Sequence, residues 1–288
     1  MSKPRIAFIG LGTMGAGMAN RLADASYPLA VYNRNPERTR GLAAKGARVA
    51  ASPRDAAADS DVIIAMLSDD VAARGVWLGE SGALAGAKKS AIAIDCSTLT
   101  IACARELAES AAARGVRFLD APVTGTKPNA EKGELLFLVG GDEEVLAEAR
   151  PVLAVMSRDV AYMGPGGSGA AMKLINNFVC GVHAAALAEA LDMMSASGLH
   201  TDEAVKLLLG GASGSPIAKT LQTRHAGNDP TVYFQLGLMA KDLSYAVKEA
   251  RAHGLNLATA AAALERFERA RAAGLGASDL SAILKPLA

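Results

Sequence analysis

The segment RIAFIGLGTMGAGMANRLA (5–23) constrains this chain more than any other. It sets the β-forming run RIAFI (5–9) directly against Gly10, Gly12 and Gly15, and a helical pattern follows at once. Glycines at this spacing, between a strand and a helix, have separate physical tasks. The first allows a tight turn, the second lets a pyrophosphate approach the backbone, and the third lets helix and strand pack closely. The helix start adds free N–H groups and the positive end of its dipole. Leu11, Thr13 and Met14 fill the intervening places, so 10–15 is the expected phosphate-contacting loop. A glycine-rich turn without a ligand is the alternative, but it would not require the surrounding strand–helix pattern.

That pattern continues. LAVYN (29–33), VIIAML (62–67), AIAID (91–95), VRFLD (116–120) and LLFLV (135–139) read as further buried strands, most of them separated by alanine-rich amphipathic segments. Alternating strands and helices imply βαβ units and a largely parallel sheet. Ser52-Pro53 marks a helix start, and Pro36 opens another. No strand is expected beyond VAYMGPGG (160–167). A glycine-rich bend there leads into one long helix ending near Gly198, and further helices are broken at GGASGSP (210–216) and HAGNDP (225–230). The expected organisation is an α/β domain over 1–164, then a long connecting helix and an all-helical domain over 165–288. A chain of 288 residues suffices for both.

Thirty basic residues oppose 29 acidic ones, and no basic run stands out, so no nucleic-acid partner is expected. The apolar stretch FVCGVHAAALA (178–188) is too short to cross a bilayer, and no membrane association is expected. Cys96, Cys103 and Cys180 suggest neither a disulfide framework nor a zinc site. The histidines at 183, 200, 225 and 253 lack ligand spacing, so no metal is expected. His183 reads as packed or hydrogen-bonded within its helix, and Met193 and Met194 as core. MSKPRIAFIG enters a strand with no signal-peptide pattern, which fits a reducing cytoplasm.

An acid at the end of the second strand would bind the ribose hydroxyls of NAD. Here the strand ends VYNRNPER, with Asn33 in that place and Arg34 after it. Asparagine does not repel a 2′-phosphate, and arginine binds one with paired N–H groups, so NADP(H) is expected in preference to NAD(H). GSGAAMKLINN (167–177) places Lys173 and Asn177 four residues apart, on one helix face. Desolvation lowers a lysine pKa, which suits proton transfer. A lysine whose stem lies on the core while its amine reaches water is the competing reading.

Together GLGTMGAGMA, DAPVTG, GSGAAMKLINN and MAKDLSYA, in this order, resemble the four signatures of the β-hydroxyacid dehydrogenases. That family includes 3-hydroxyisobutyrate dehydrogenase and glyoxylate/succinic semialdehyde reductase. The resemblance runs from the first strand to about Leu287. It implies a Rossmann-type N-terminal domain and an all-α C-terminal domain joined by a long helix. It assigns catalysis to Lys173, with Asn177 as its partner. Thr124, Gly125 and Thr126 would hold a small carboxylate-bearing substrate, and Phe234 would close its pocket. Met66, Leu67, Ser68, Thr98 and Lys241 would contact the cofactor. A dimer or tetramer through the helical domain is implied. Each residue also has a structural reading: Asp120 ending a strand, Thr98 capping the next helix, Asp242 pairing locally. Thr124-Gly125-Thr126 departs from the Ser-Gly-Gly usual in hydroxyisobutyrate dehydrogenases, and Leu67-Ser68 from their Leu-Pro. TGTK, GASGSP and LGASDLSAIL are closer to the glyoxylate/succinic semialdehyde reductases, which use NADPH. 3-Hydroxyisobutyrate oxidation and a non-catalytic dinucleotide-binding scaffold are the alternatives.

Overall fold

The protein is described by a computed structural model covering residues 3–286. Its packing divides it into two compact units, Met1–Lys173 and Leu174–Ala288.

The first unit is built on a nine-stranded sheet. Strands β1 (Ile6–Ile9), β2 (Leu29–Tyr32), β3 (Arg48–Val49), β4 (Val62–Ala65), β5 (Ile92–Asp95) and β6 (Arg117–Asp120) run parallel in the order 3-2-1-4-5-6. β8 (Leu135–Gly141) turns antiparallel against β6 and against the short β7 (Val123–Thr124). β9 (Ser157–Gly164) lies parallel along the other side of β8. The helices of this unit are α1 (Gly15–Asp24), α2 (Arg40–Ala44), α3 (Pro53–Ala57), α4 (Asp70–Trp77), α5 (Ala83–Gly86), α6 (Ile101–Ala112), α7 (Lys127–Lys132) and α8 (Glu143–Leu153).

Side-chain alternation sorts the core into two layers. Ile6, Phe8, Val31 and Ile64 join Met18 and Leu22 of α1 on one face. Ala7, Ile9, Ile63 and Ala93 join Trp77 and Leu107 on the other. Both faces are covered, which is why the central strands read as unbroken apolar runs. Each large side chain removed from water this way stabilises the fold by about 1.5–3 kcal/mol.

Three strands escape the sequence pattern. β3 and β7 are two residues each, too short to show a period. β9 is an edge strand in which only Val160 is buried, while Arg158 and Asp159 are exposed. An edge carries charge and needs no apolar face. The last strand therefore ends at Gly164.

The long helix α9 (Ser168–Ala196) begins from the sheet. Asp120, the last residue of β6, accepts the Gly167 and Ala170 N–H groups with its two carboxylate oxygens, each at 2.8 Å. A carboxylate in this place caps the helix and opposes the positive end of its dipole. A Cβ on Gly169 would stand 2.3 Å from the Leu138 carbonyl oxygen, so only glycine permits this approach. Ala170 packs with Ile101 and Ala104. The first turns of α9 thus belong to the first unit, which moves the packing boundary past the glycine bend to Lys173.

The second unit contains the rest of α9 with α10 (Thr201–Gly210), α11 (Pro216–Ala226), α12 (Leu236–Ala252) and α13 (Ala258–Ala270). Its core gathers Ala184, Ala188, Leu221, Leu243, Phe267 and Ile283. A Cβ at Gly181 would meet Leu243 at 2.9 Å, so a small residue sets the α9–α12 approach. The apolar stretch 178–188 is part of a 29-residue helix that is long and apolar enough to cross a membrane by length and composition alone. His183 is exposed rather than packed. Met194 is buried, whereas Met193 is 73% exposed. Neighbours on a helix differ by about 100° in direction, so Met193 points away from the side on which Met194 is buried.

Replacing Asp120 with Ala leaves two buried N–H donors without their acceptor. Urea unfolding should show the first unit destabilised by roughly 2–4 kcal/mol, with Asp120→Asn losing less.

Candidate active site

The carboxyl ends of β1, β4, β5 and β6 lie in one row, because Ile9 pairs with Ala65, Ala65 with Asp95, and Asp95 with Asp120. The strand order reverses between β1 and β4, which is where an open parallel sheet offers a ligand crevice.

The glycine loop follows β1. Gly10 has φ +96°, and a Cβ there would sit 2.3 Å from the Met66 carbonyl oxygen. A Cβ on Gly15 would lie 1.9 Å from the Gly10 oxygen. Both glycines are required by the chain itself. Gly12 differs: a Cβ there would meet only the Arg38 guanidinium, at 3.9 Å. Space is left beside its backbone, as a pyrophosphate needs. Helix α1 starts with no side-chain cap and no acid in its first turn, so neither its cap nor its first turn competes with an anion there.

Asn33 takes a structural part in this loop. Its Oδ1 accepts the Leu11 N–H at 2.9 Å, and its Nδ2 donates to the Asn35 carbonyl at 2.8 Å. Arg34 is exposed. Arg38, which the sequence reading passed over, donates to the Leu11 carbonyl at 3.3 Å. The guanidinium groups of Arg34 and Arg38 therefore both stand between β2 and α2. The available signal was the four-residue spacing of Arg34 and Arg38 around the helical turn opened by Pro36.

The turns after β4 and β5 are braced together. The Leu67 N–H donates to Ser97 Oγ at 2.8 Å. Asp70 accepts both the N–H and the hydroxyl of Thr100, at 2.9 and 2.7 Å. Thr100, not Thr98, caps α6, accepting the Cys103 N–H. Thr98 is half-buried within this clamped segment, beside exposed Ser68 and half-buried Met66 and Leu67. Beneath the clamp, Asp95 is 1% exposed and accepts from Ser97 N–H and Trp77 Nε1. Burial pushes its carboxyl up to about 6 despite those two donors, and Asp120 alongside adds to the rise. Burial also pushes Asp120 upward, against the N–H groups of Gly167 and Ala170.

Thr124 ends β7 half-buried, and Gly125 follows with φ +129°. A Cβ on Gly125 would lie 2.8 Å from Leu135. Thr126 donates both its N–H and its hydroxyl to Asn129 Oδ1, at 2.9 and 3.0 Å. These two donors of Thr126 are engaged in opening α7.

Lys173 is 8% exposed on α9, and Asn177, 4% exposed, follows one turn later on the same face. In the second unit, Asn177 Nδ2 donates to Asp242 Oδ2 at 2.6 Å. Lys241 Nζ stands 3.1 Å from Asp242 Oδ1 and 5.0 Å from the centre of the Tyr245 ring. The Phe234 segment is fixed by Asp279, which accepts the Tyr233 and Phe234 N–H groups at 2.9 and 3.2 Å. Burial would raise Asp279, but backbone donors including Ser281 outweigh it and hold the carboxyl below its usual range. Among the described residues no group of histidine, cysteine and acidic side chains is placed to hold a metal ion.

Comparison with known proteins agrees with this fold. The family model for the NAD binding domain of 6-phosphogluconate dehydrogenase matches residues 5–164. The model for the NAD-binding region of NADP-dependent 3-hydroxyisobutyrate dehydrogenase matches residues 167–287. The NAD-dependent L-serine dehydrogenase of Pseudomonas aeruginosa is 35% identical, over 98% of this chain and 97% of its own. The 3-sulfolactaldehyde reductase of Escherichia coli is 37% identical, over 97% and 94%. The structure of Mycobacterium tuberculosis 3-hydroxyisobutyrate dehydrogenase with L-serine superposes with a TM-score of 0.89, at 33% identity and 98% coverage of both chains.

The buried Asp95 carboxyl has an optical reporter. Trp77 is the sole tryptophan of the chain and donates directly to it. Because the folded pKa lies above the ordinary 3.8, the folded state holds this proton where the unfolded chain has lost it. The resulting cost to stability is absent below the unfolded value. It grows as pH rises and is complete above the folded value, at about 3 kcal/mol. Trp77 emission should titrate with a midpoint near pH 6 and should lose that transition in Asp95→Asn. A flat wild-type profile across this range would contradict the assignment.

Proposed function

The chain belongs to the β-hydroxyacid dehydrogenase family, and on that footing we propose that it is an NADP(H)-preferring reductase of small aldehyde or keto acids. The reading resembles glyoxylate/succinic semialdehyde reduction. It takes Lys173 as the general acid and base. The observation that carries it is the burial of Lys173 one helical turn from Asn177, with Asn177 held by Asp242. A buried ammonium is costly, and a proton-transfer role gives a reason for that cost.

A bound nicotinamide supplies or takes the hydride at the substrate carbon. The chain supplies the rest. In reduction Lys173 Nζ delivers a proton to the carbonyl oxygen; in oxidation it removes that proton from the hydroxyl. Asn177, oriented by its bond to Asp242, holds the same oxygen. Thr124 and Gly125 bind the substrate carboxylate. Thr126 shapes that turn through Asn129 and reaches substrate less directly than the other two. Phe234 covers the substrate, and Lys241 serves the cofactor. Gly10–Gly15 cradle the pyrophosphate. Arg34 and Arg38 take the 2′-phosphate, Asn33 keeps the loop in shape, and Met66–Leu67–Ser68 and Thr98 complete the cofactor contacts. The physiological setting is the cytoplasm, and the working form is a homo-oligomer.

The test is nicotinamide oxidation by the purified protein with glyoxylate, succinic semialdehyde and methylmalonate semialdehyde, using NADPH and NADH in parallel. L-serine and 3-hydroxyisobutyrate, named by the relatives, test the oxidising direction. Turnover selective for NADPH and glyoxylate or succinic semialdehyde supports the reading. Lys173→Ala should lower kcat by about 10²–10⁴-fold while leaving NADPH binding close to wild type. Tight NADPH binding with no turnover across the whole panel would point to a binding-only protein. In a second test, Arg34→Ala with Arg38→Ala should weaken NADPH binding about tenfold or more and leave NADH nearly unchanged. An equal loss for both cofactors would remove the 2′-phosphate assignment.

A further inference from the structure

Asp95 lies outside the contacts assigned above, yet it sits under all those made by the turns after β4 and β5. Its Oδ1 accepts the Ser97 N–H at 2.8 Å, and Ser97 Oγ in turn accepts the Leu67 N–H at 2.8 Å. Its Oδ2 accepts Trp77 Nε1 at 2.7 Å. Leu67 opens the segment that becomes α4, and Trp77 closes that helix. One carboxylate therefore grips the segment at both ends. The turn it holds is already pressed from the other side, where only the absent Cβ of Gly10 makes room for the Met66 carbonyl. A shift of Ser97 acts directly on its partner Leu67, in the Met66–Ser68 turn, and on its chain neighbour Thr98.

No cation among the described residues faces Asp95. The groups around it are the Trp77 indole, the Ser97 backbone and hydroxyl, the neighbouring Cys96 thiol and the like charge of Asp120 on β6. An apolar residue would fill this strand position at less cost. What an apolar residue lacks is two acceptor oxygens pointing in two directions. A carboxamide has one, and would set its own N–H groups against Trp77 or Ser97.

We propose that Asp95 is a positioning residue for the dinucleotide. Acting through Ser97 and Leu67, it sets the turns after β4 and β5 at the spacing the cofactor requires. This rests on the assignment of Met66–Ser68 and Thr98 to the cofactor.

Calorimetry of NADPH binding to the full chain tests it, with the carbonyl substrate KM and kcat measured alongside. Asp95→Asn should raise the NADPH Kd about tenfold or more, the effect expected of one lost charged hydrogen bond. The carbonyl substrate KM should stay near wild type. Ser97→Ala cuts the same relay one step later and should match it. The double variant should be no weaker than the worse single, because both cut one chain of contacts. Trp77→Phe spares the Ser97 arm and should have the smaller effect. A lowered melting temperature with unchanged Kd in Asp95→Asn would make the residue merely structural, and additive losses in the double variant would break the relay. If Asp95→Asn does not fold, Ser97→Ala and the Trp77→Phe comparison decide the question. Ser68→Ala and Thr98→Ala test the cofactor contacts of these turns separately from the role of Asp95. If neither changes NADPH binding, the cofactor assignment of these turns fails and the proposal falls with it. If they weaken binding but Asp95→Asn and Ser97→Ala do not, the assignment stands and only the positioning role is lost.

Discussion

The grip of Asp120 on the start of α9 is the constraint that places Lys173 in the first unit. Its two oxygens take the N–H groups of Gly167 and Ala170, so the first turn of the helix is held against the sheet. Lys173 comes three residues after Ala170, within the next turn. Its position against the first unit is therefore determined by a strand residue more than fifty positions earlier. Gly140 and Gly169 make the arrangement possible, because a Cβ at either would run into Asp120 at 2.6 Å.

Asp95 and Asp120 are register neighbours, each ending its strand, and both are nearly free of solvent. Two adjacent buried acids oppose each other's ionisation, and burial alone disfavours both charges. The structure answers with N–H donors: Ser97 and Trp77 for one, the α9 start for the other. The same carboxylates thereby become the fasteners of separate pieces. One ties down the turns beside the glycine loop, and the other ties down the helix that carries Lys173. A cation in either place would neutralise the charge without reaching in two directions.

Much of this was legible in the residues. The glycine loop showed because strand, three glycines and helix fall within nineteen residues, and the central strands because burial on both faces leaves unbroken apolar runs. The long helix was readable to within two residues of its end, since a glycine bend opens it and Gly198 closes it. β3, β7 and β9 were not, being either two residues long or exposed along an edge. His183 and Met193 misled for a different reason. An alanine-rich helix has small residues on every face, so its pattern does not say which face is inside. Arg38 and Asn129 were missed because their partners, Leu11 and Thr126, are backbone groups and a hydroxyl whose direction no residue pattern records.

The sequence by itself determined the alternation of strands and helices, the place of the phosphate loop, and the one-turn spacing of Lys173 and Asn177. All of these are local: they depend on period, on glycine's freedom and on helix geometry, which act over a few residues. The tertiary structure alone decided that Asp120 caps α9, that Asp95 reaches Leu67 through Ser97, and that Asn177 meets Asp242 across 65 residues of chain. Each of these joins groups far apart in sequence by hydrogen bonds, directly or, for Asp95 and Leu67, through Ser97. Such bonds exist only once packing has excluded water and left a buried donor and acceptor no other partner.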